Sequence, residues 1–392
     1  MKKSAYLLSF IATVLFSQFV HAGNALNNKE ILGKLLYFDT DLSLNKNQAC
    51  ASCHTPPHFV DPANVADPKN SVVSLGSDRT LNGGRNAPSA GYAAFSPFFH
   101  WNAVDGLYVG GQFWDGRATT LTEQAKGPFL NPVEMAMPTK KSVLERIASE
   151  SNINREKYLE LFLQVYAVDI QDASASQNQT YIDAVYEMMA DAIAGFEKNR
   201  VFNQFSSKFD YVLARKTTLS KREQRGLRLF NGKAKCNACH TSAALVAPDG
   251  NVMPPLFTDF TYDNIGIPKS TNPLIADDPI DFGLGGRADI AAKDPAGAEL
   301  GKHKVMSLRN IAVTPPYGHN GFFATLEEIV HFYNTRDIEP WPAPEVAQNV
   351  NTTELGNLGL TPRDEAAIVA FLKTLTDGYG PPLNKFAFPP FP

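Results

Sequence analysis

Cys50-Ala-Ser-Cys53-His54 and Cys236-Asn-Ala-Cys239-His240 are the two stretches on which the reading of this chain turns. Each has the form C-x-x-C-H, and together they use all four cysteines of the 392 residues. Two thiols three positions apart on one turn can reach the two vinyl groups of a single porphyrin, and the adjacent His then lies against the iron; C-x-x-C-H is the attachment signal of c-type haem. Zinc shared between the two pairs, or two disulfides, are the competing uses of these thiols. The expectation is two covalently bound haem c groups, held by Cys50, Cys53 and His54 and by Cys236, Cys239 and His240.

The repetition extends outward. Gly33-Lys-Leu-Leu-Tyr37 precedes the first motif and Gly226-Leu-Arg-Leu-Phe230 the second, each predicted as a short amphipathic helix. Downstream, Tyr181 to Arg200 carries Ile182, Val185, Met189 and Ile193 at helical spacing. In the second half Thr361-Pro362-Arg363-Asp364 supplies an N-cap, a Pro at the first helical position and an acid at N3; it opens a helix predicted over Glu365 to Thr376. Two units of helix, C-x-x-C-H and helix indicate an internal duplication. The fold class expected is mainly α, two cytochrome-c-like haem domains over residues 23–212 and 213–392. The chain between is rich in Gly, Pro and Asn, as at Asp61 to Pro97 and Ala247 to Lys304, and has few alternating β runs. Such long loops imply function, or a large buried group replacing part of the core.

Composition narrows the class further. At 44% hydrophobic and 19% charged residues the chain is globular rather than disordered or fibrous. Lys2-Lys3, an apolar run from Ala5 to Val20, and Val20-His21-Ala22 read as a signal peptide over residues 1–22, too short for a spanning helix. No later stretch has spanning length, so a soluble periplasmic protein without membrane insertion is expected. Loss of Lys2 and Lys3 moves the net charge from −4 to −6, which argues against nucleic acid as a partner.

An electron carrier closes the sixth position of each iron with Met or His, whereas a catalyst leaves one open. The candidates are Met135, Met137, Met188, Met189, Met253 and Met306, with His58, His100, His303, His319 and His331. Met188 and Met189 read as core residues of their helix, and His58 as a turn position near His54.

Around the two motifs the sequence resembles the bacterial dihaem cytochrome c peroxidase family, and most closely its MauG-like members. The resemblance rests on Gly84-Arg85-Asn86-Ala87-Pro88, Gly110-Gly-Gln-Phe-Trp114-Asp-Gly-Arg117, Glu123-Gln124-Ala125 and Asn131-Pro-Val-Glu134-Met-Ala-Met-Pro138. It continues through Tyr262-Asp-Asn-Ile-Gly-Ile-Pro268, Ser307-Leu-Arg-Asn-Ile-Ala-Val-Thr314, Pro316-Tyr317, His319-Asn-Gly321 and Phe332-Tyr333-Asn334. It implies a periplasmic peroxidase in which H2O2 meets an open iron at His54 and a high-valent dihaem state oxidises a partner protein. In MauG-like members that oxidation serves tryptophan tryptophylquinone biogenesis in a methylamine dehydrogenase precursor. By the same resemblance Glu134 handles the peroxide protons with Gln124 nearby, and Trp114 lies between the haems as an electron relay. Calcium is implied at Asn86 with the backbone oxygens of Thr314 and Pro316. Tyr333 stands where typical peroxidases carry a Met ligand to the second iron, with Met306 and His303 as competing ligands. Ser77, in Ser74-Leu-Gly-Ser77-Asp78, replaces a distal His, which implies an open first haem. One departure is Lys233-Ala234-Lys235 before the second motif, where MauG-like members place a Trp that draws electrons from the protein substrate. Two other functions compete: a peroxidase fed by a small cytochrome c or cupredoxin, and a non-catalytic dihaem electron carrier.

Overall fold

The computed structural model describes residues 25–246 and 252–379; the expected signal peptide lies outside the described residues. The helix Asn28–Phe38 starts at Asn27, which accepts from Glu30 N–H while the Glu30 carboxylate accepts from Asn27 N–H. That capping box satisfies two otherwise orphaned donors. The helix buries Leu32, Gly33, Leu36 and Tyr37 and crosses Gln179–Glu197. At the crossing a Cβ on Gly33 would lie 2.0 Å from the Ala192 carbonyl oxygen and 2.9 Å from Phe196 Cβ. Only hydrogen fits there.

The second half repeats this arrangement closely. The helix Lys221–Phe230 crosses Pro362–Leu372, and a Cβ on Gly226 would lie 2.0 Å from the Ala367 oxygen and 2.8 Å from Phe371 Cβ. Thr361 caps Pro362–Leu372 with Pro at its start and Asp364 at N3, three positions earlier than the expected helix start. Its last turn tightens to a 3-10 turn over Lys373–Leu375.

Each crossing anchors its own core. The first gathers Leu36, Phe129, Met135, Ile147, Phe162, Met189 and Phe202; the second gathers Phe209, Phe230, Phe257, Phe332, Ile368 and Phe371. The break in packing falls between Phe202 and Phe209, because the helix Lys208–Leu213 turns Phe209 into the second core.

The long loops are held by polar contacts and by two small apolar clusters, Val72, Val73 and Ile275 in one and Tyr262, Leu284 and Ile290 in the other. Arg85 forks onto Asp281 at 2.6 and 2.7 Å and also reaches Asp115 at 2.7 Å, joining residues 196 positions apart. Tyr92 donates to Asp377 at 2.8 Å, and Lys304 Nζ donates to Ser96 Oγ at 2.6 Å. Strand content among the described residues is three two-stranded ribbons. One of them, His100–Asn102 with Leu107–Val109, is an outlying hairpin that the sequence reading did not anticipate.

Candidate functional site

Cys50–Cys53 is a single helical turn, closed by His54 N–H donating to Cys50 O at 2.9 Å. Cys236–Ala238 is a 3-10 turn, and His240 N–H donates to Cys236 O at 2.8 Å. All four thiols are free and half-buried. They line two different cavities, Cys50 and Cys53 one of about 590 Å³, Cys236 and Cys239 another of about 310 Å³. One zinc ion cannot be shared between pairs in separate cavities, and no disulfide joins them. Burial pushes the Cys50 thiol well up, Cys53 to about 11, and Cys236 and Cys239 to about 12, so all four stay protonated.

The two imidazoles are built for ligation. Burial lowers both His54 and His240, which keeps their rings neutral. His240 Nδ1 lies 2.9 Å from the Phe257 carbonyl. A carbonyl can only accept, so Nδ1 carries the hydrogen and Nε2 keeps its lone pair free, as a metal-ligating His requires.

Glu134, Gln124, Arg117 and Leu75 line the first cavity with His54. Burial pushes the Glu134 carboxyl up, against the opposing pull of Arg117 and a hydrogen bond from Asn131. The loop bearing Ser77 packs on the loop bearing Glu134, with Ser77 N–H donating to Glu134 O at 2.6 Å. The Ser77 hydroxyl donates to Asn47 Oδ1 at 2.9 Å and accepts from Asn45 N–H at 3.0 Å. It is 1% exposed and is not part of the cavity wall.

Trp114 lies on the wall common to both cavities, with Asn86, Ala87 and Pro88. Its indole N–H donates to the Asn86 carbonyl at 2.8 Å. Asn86, Thr314 and Pro316 converge on the second cavity. The Asn86 amide nitrogen donates to Val72 O at 3.1 Å, so its Oδ1 keeps its acceptor capacity.

Tyr333, Met306 and His303 all line the second cavity. His303 Nδ1 lies 3.1 Å from Gly301 O, while Nε2 lies 3.3 Å from Asp281 without a hydrogen bond. It also stacks on His319 at 3.7 Å. The Met306 backbone faces His240. Tyr333 is buried beside Cys239 and Cys236, and burial pushes its phenol well up.

Of the other candidates, Met135, Met137 and Met189 are core residues. His331 pairs on the surface with Glu339 at 3.1 Å and Glu365 at 3.0 Å. Sequence reasoning missed Glu197, a buried acid on the first cavity with one carboxyl oxygen unpaired. Only its position at the end of an apolar helix face could have pointed to it.

A family profile described as di-haem cytochrome c peroxidase matches residues 27–218. The methylamine utilization protein MauG of Paracoccus denitrificans is 38% identical over 90% of this chain and 89% of its own length. The cytochrome c551 peroxidase of Nitrosomonas europaea is 30% identical over 88% of this chain and 79% of its own. Among solved structures, the dihaem peroxidase BthA of Burkholderia thailandensis is similar at a TM-score of 0.74 and 29% identity, covering 91% of this chain and 87% of that one. A non-catalytic carrier is therefore set aside. The chain belongs to the dihaem cytochrome c peroxidase family that includes MauG, and it is a haem peroxidase.

Proposed function

We propose that the protein is a periplasmic MauG-type peroxidase whose two haems are covalently attached and which oxidises a partner protein at the expense of H2O2. The single observation carrying this reading is the common wall: two C-x-x-C-H cavities meet at one oxidisable side chain, Trp114. In this reading the two halves, expected over residues 23–212 and 213–392 but parted in packing between Phe202 and Phe209, are duplicated haem domains, consistent with the matched crossings at Gly33 and Gly226. The thiols of Cys50 and Cys53, and of Cys236 and Cys239, would hold the two haems through their vinyl groups, and His54 and His240 would ligate the irons. Bound at His54, haem supplies an iron that accepts peroxide and electrons that cleave its O–O bond.

The chain does the rest. Glu134 takes the proton from the inner peroxide oxygen and returns it to the outer one, a task helped by a carboxyl that burial has moved toward neutral pH. Gln124 holds the departing oxygen by a hydrogen bond. Ser77 is tied to Asn45 and Asn47 and so would not serve as an iron ligand in the first cavity. Tyr333 would be the second iron's ligand, its phenol lying beside the Cys236 and Cys239 thiols that would hold that haem. A ferric charge offsets the burial that otherwise keeps its phenol protonated. Asn86 Oδ1, with the Thr314 and Pro316 carbonyls, offers the hard oxygen donors that calcium prefers.

The test is Glu134→Gln in the holoprotein. The reaction with H2O2 should slow by about 10²- to 10⁴-fold with both haems retained; a wild-type rate refutes the role of Glu134. A second reading, a peroxidase fed by a small cytochrome c or cupredoxin, is favoured by one feature: Lys233-Ala234-Lys235 offers no aromatic ahead of the second motif. A tryptophan-modifying activity toward a methylamine dehydrogenase precursor, assayed directly, separates the two.

A further inference from the structure

The chain has three tryptophans, and their environments differ. Trp114 is on the wall between the cavities, while Trp341 packs in the second half against Phe323 and Phe332. Trp101 is 49% exposed, on the outlying hairpin. An exposed indole on a short ribbon adds little to stability, and its neighbours Phe98 and Val104 are 70% and 92% exposed. What singles out Trp101 is the row of rings behind it.

Trp101 and Tyr108 are direct cross-strand partners, with ring centroids 4.8 Å apart. Tyr108 stacks on Phe99 at 5.2 Å and 4° between planes. Phe99 meets Tyr262 edge-on at 6.0 Å, and Tyr262 is 4% exposed. The row ends at Tyr262, whose hydroxyl donates to Gly110 O in the stretch that carries Trp114. A Cβ on Gly116 would lie 2.1 Å from the Tyr262 hydroxyl, so Tyr262 is pressed onto the chain two residues past Trp114. Lys304, the strand partner of Tyr262, donates its N–H to Trp114 O at 2.8 Å.

We propose that Trp101 is the surface terminus of an electron path, Trp101–Tyr108–Phe99–Tyr262, leading to Trp114, and that a small one-electron donor is oxidised there. Indole and phenol rings lose single electrons far more readily than benzene rings. Phe99 therefore bridges the path without holding the charge. The inference rests on the peroxidase reading. Reducing H2O2 to two waters takes two electrons and two protons. Each electron leaves the Trp101 indole, passes inward along the row, and is replaced from the donor, which ends one electron poorer. Asp289 is paired with Arg287 at 2.7 Å and Glu299 with Lys302 at 3.2 Å, so charge does not select the donor.

The path is tested in the holoprotein with H2O2 and no donor, followed by peptide mapping. Oxygen addition is expected at Trp101, none above background at Trp341, and loss of the Trp101 modification in Trp114→Phe. Hexaammineruthenium(II), a one-electron donor, should protect Trp101. If Trp101 is oxidised equally in Trp114→Phe, free peroxide is the oxidant and the path is wrong. If the haem spectrum responds to H2O2 but Trp101 stays intact, the path is again wrong, while the peroxidase reading stands. No spectral response at all overturns the peroxidase reading itself.

Discussion

Burial moves the Glu197 carboxyl from its ordinary 4.5 to about 8, with one oxygen unpaired and no cation beside it. At about 1.4 kcal/mol for each tenfold change in a proton equilibrium, the charged form is roughly 5 kcal/mol harder to hold there than in water. The folded state keeps its proton between pH 4.5 and about 8, where the unfolded chain has lost it. The folded state thus binds more protons over that window, and stability falls as pH rises through it. Below about 4.5 the contribution is fully present, and above about 8 it is gone. Glu197→Gln keeps the shape of the protonated side chain and removes the titration. The variant should match the wild type near pH 5 and exceed it progressively toward pH 8, by up to about 5 kcal/mol. Urea unfolding of the holoprotein, followed by haem absorbance at several pH values, reads the difference. A gap between the two proteins that stays constant from pH 5 to pH 8 would refute the reasoning.

Cys50→Ala with Cys53→Ala should leave one covalent haem of two, as counted by intact mass and by haem staining; two retained haems would contradict the assignment. Tyr333→Met should raise the second haem's reduction potential, within the span of about 0.8 V that axial ligands command. An unchanged potential and spectrum in redox titration would remove Tyr333 as the ligand. Gly226→Ala forces a methyl against the Ala367 carbonyl, and overpacking of ~1–3 kcal/mol outweighs the ~1 kcal/mol of helix propensity gained. Gly195→Ala meets only the flexible Lys29 side chain and should not lower the urea midpoint.

The parts legible in the sequence were those governed by local rules. C-x-x-C-H carries its chemistry in five consecutive residues, and Thr361-Pro362-Arg363-Asp364 states a helix start in four. Both appear where spacing put them. The position of the Phe209 side chain was not legible, because whether a helix joins the core before or after it is a tertiary matter. The pairing of Arg85 with Asp281, and the row behind Trp101, join segments far apart in the chain, and no periodicity signals them. Ser77 shows the intermediate case. Its hydroxyl ruled it out as an iron ligand on chemistry alone, but its use, fastening the loop to Asn45 and Asn47, needed coordinates.

The wall common to both cavities bears on how separable the two halves are. Tyr92, Gln112, Phe113 and Trp114 come from the first half yet line the cavity of His240, while Asp281 comes from the second half and lines that of His54. Neither half encloses its own site. Cutting the chain between Phe202 and Phe209 would leave each helix crossing intact but open both cavities to water along one side. A substitution at Asn86, Trp114 or Asp281 therefore alters both cavities at once, and neither site can be tuned there without the other.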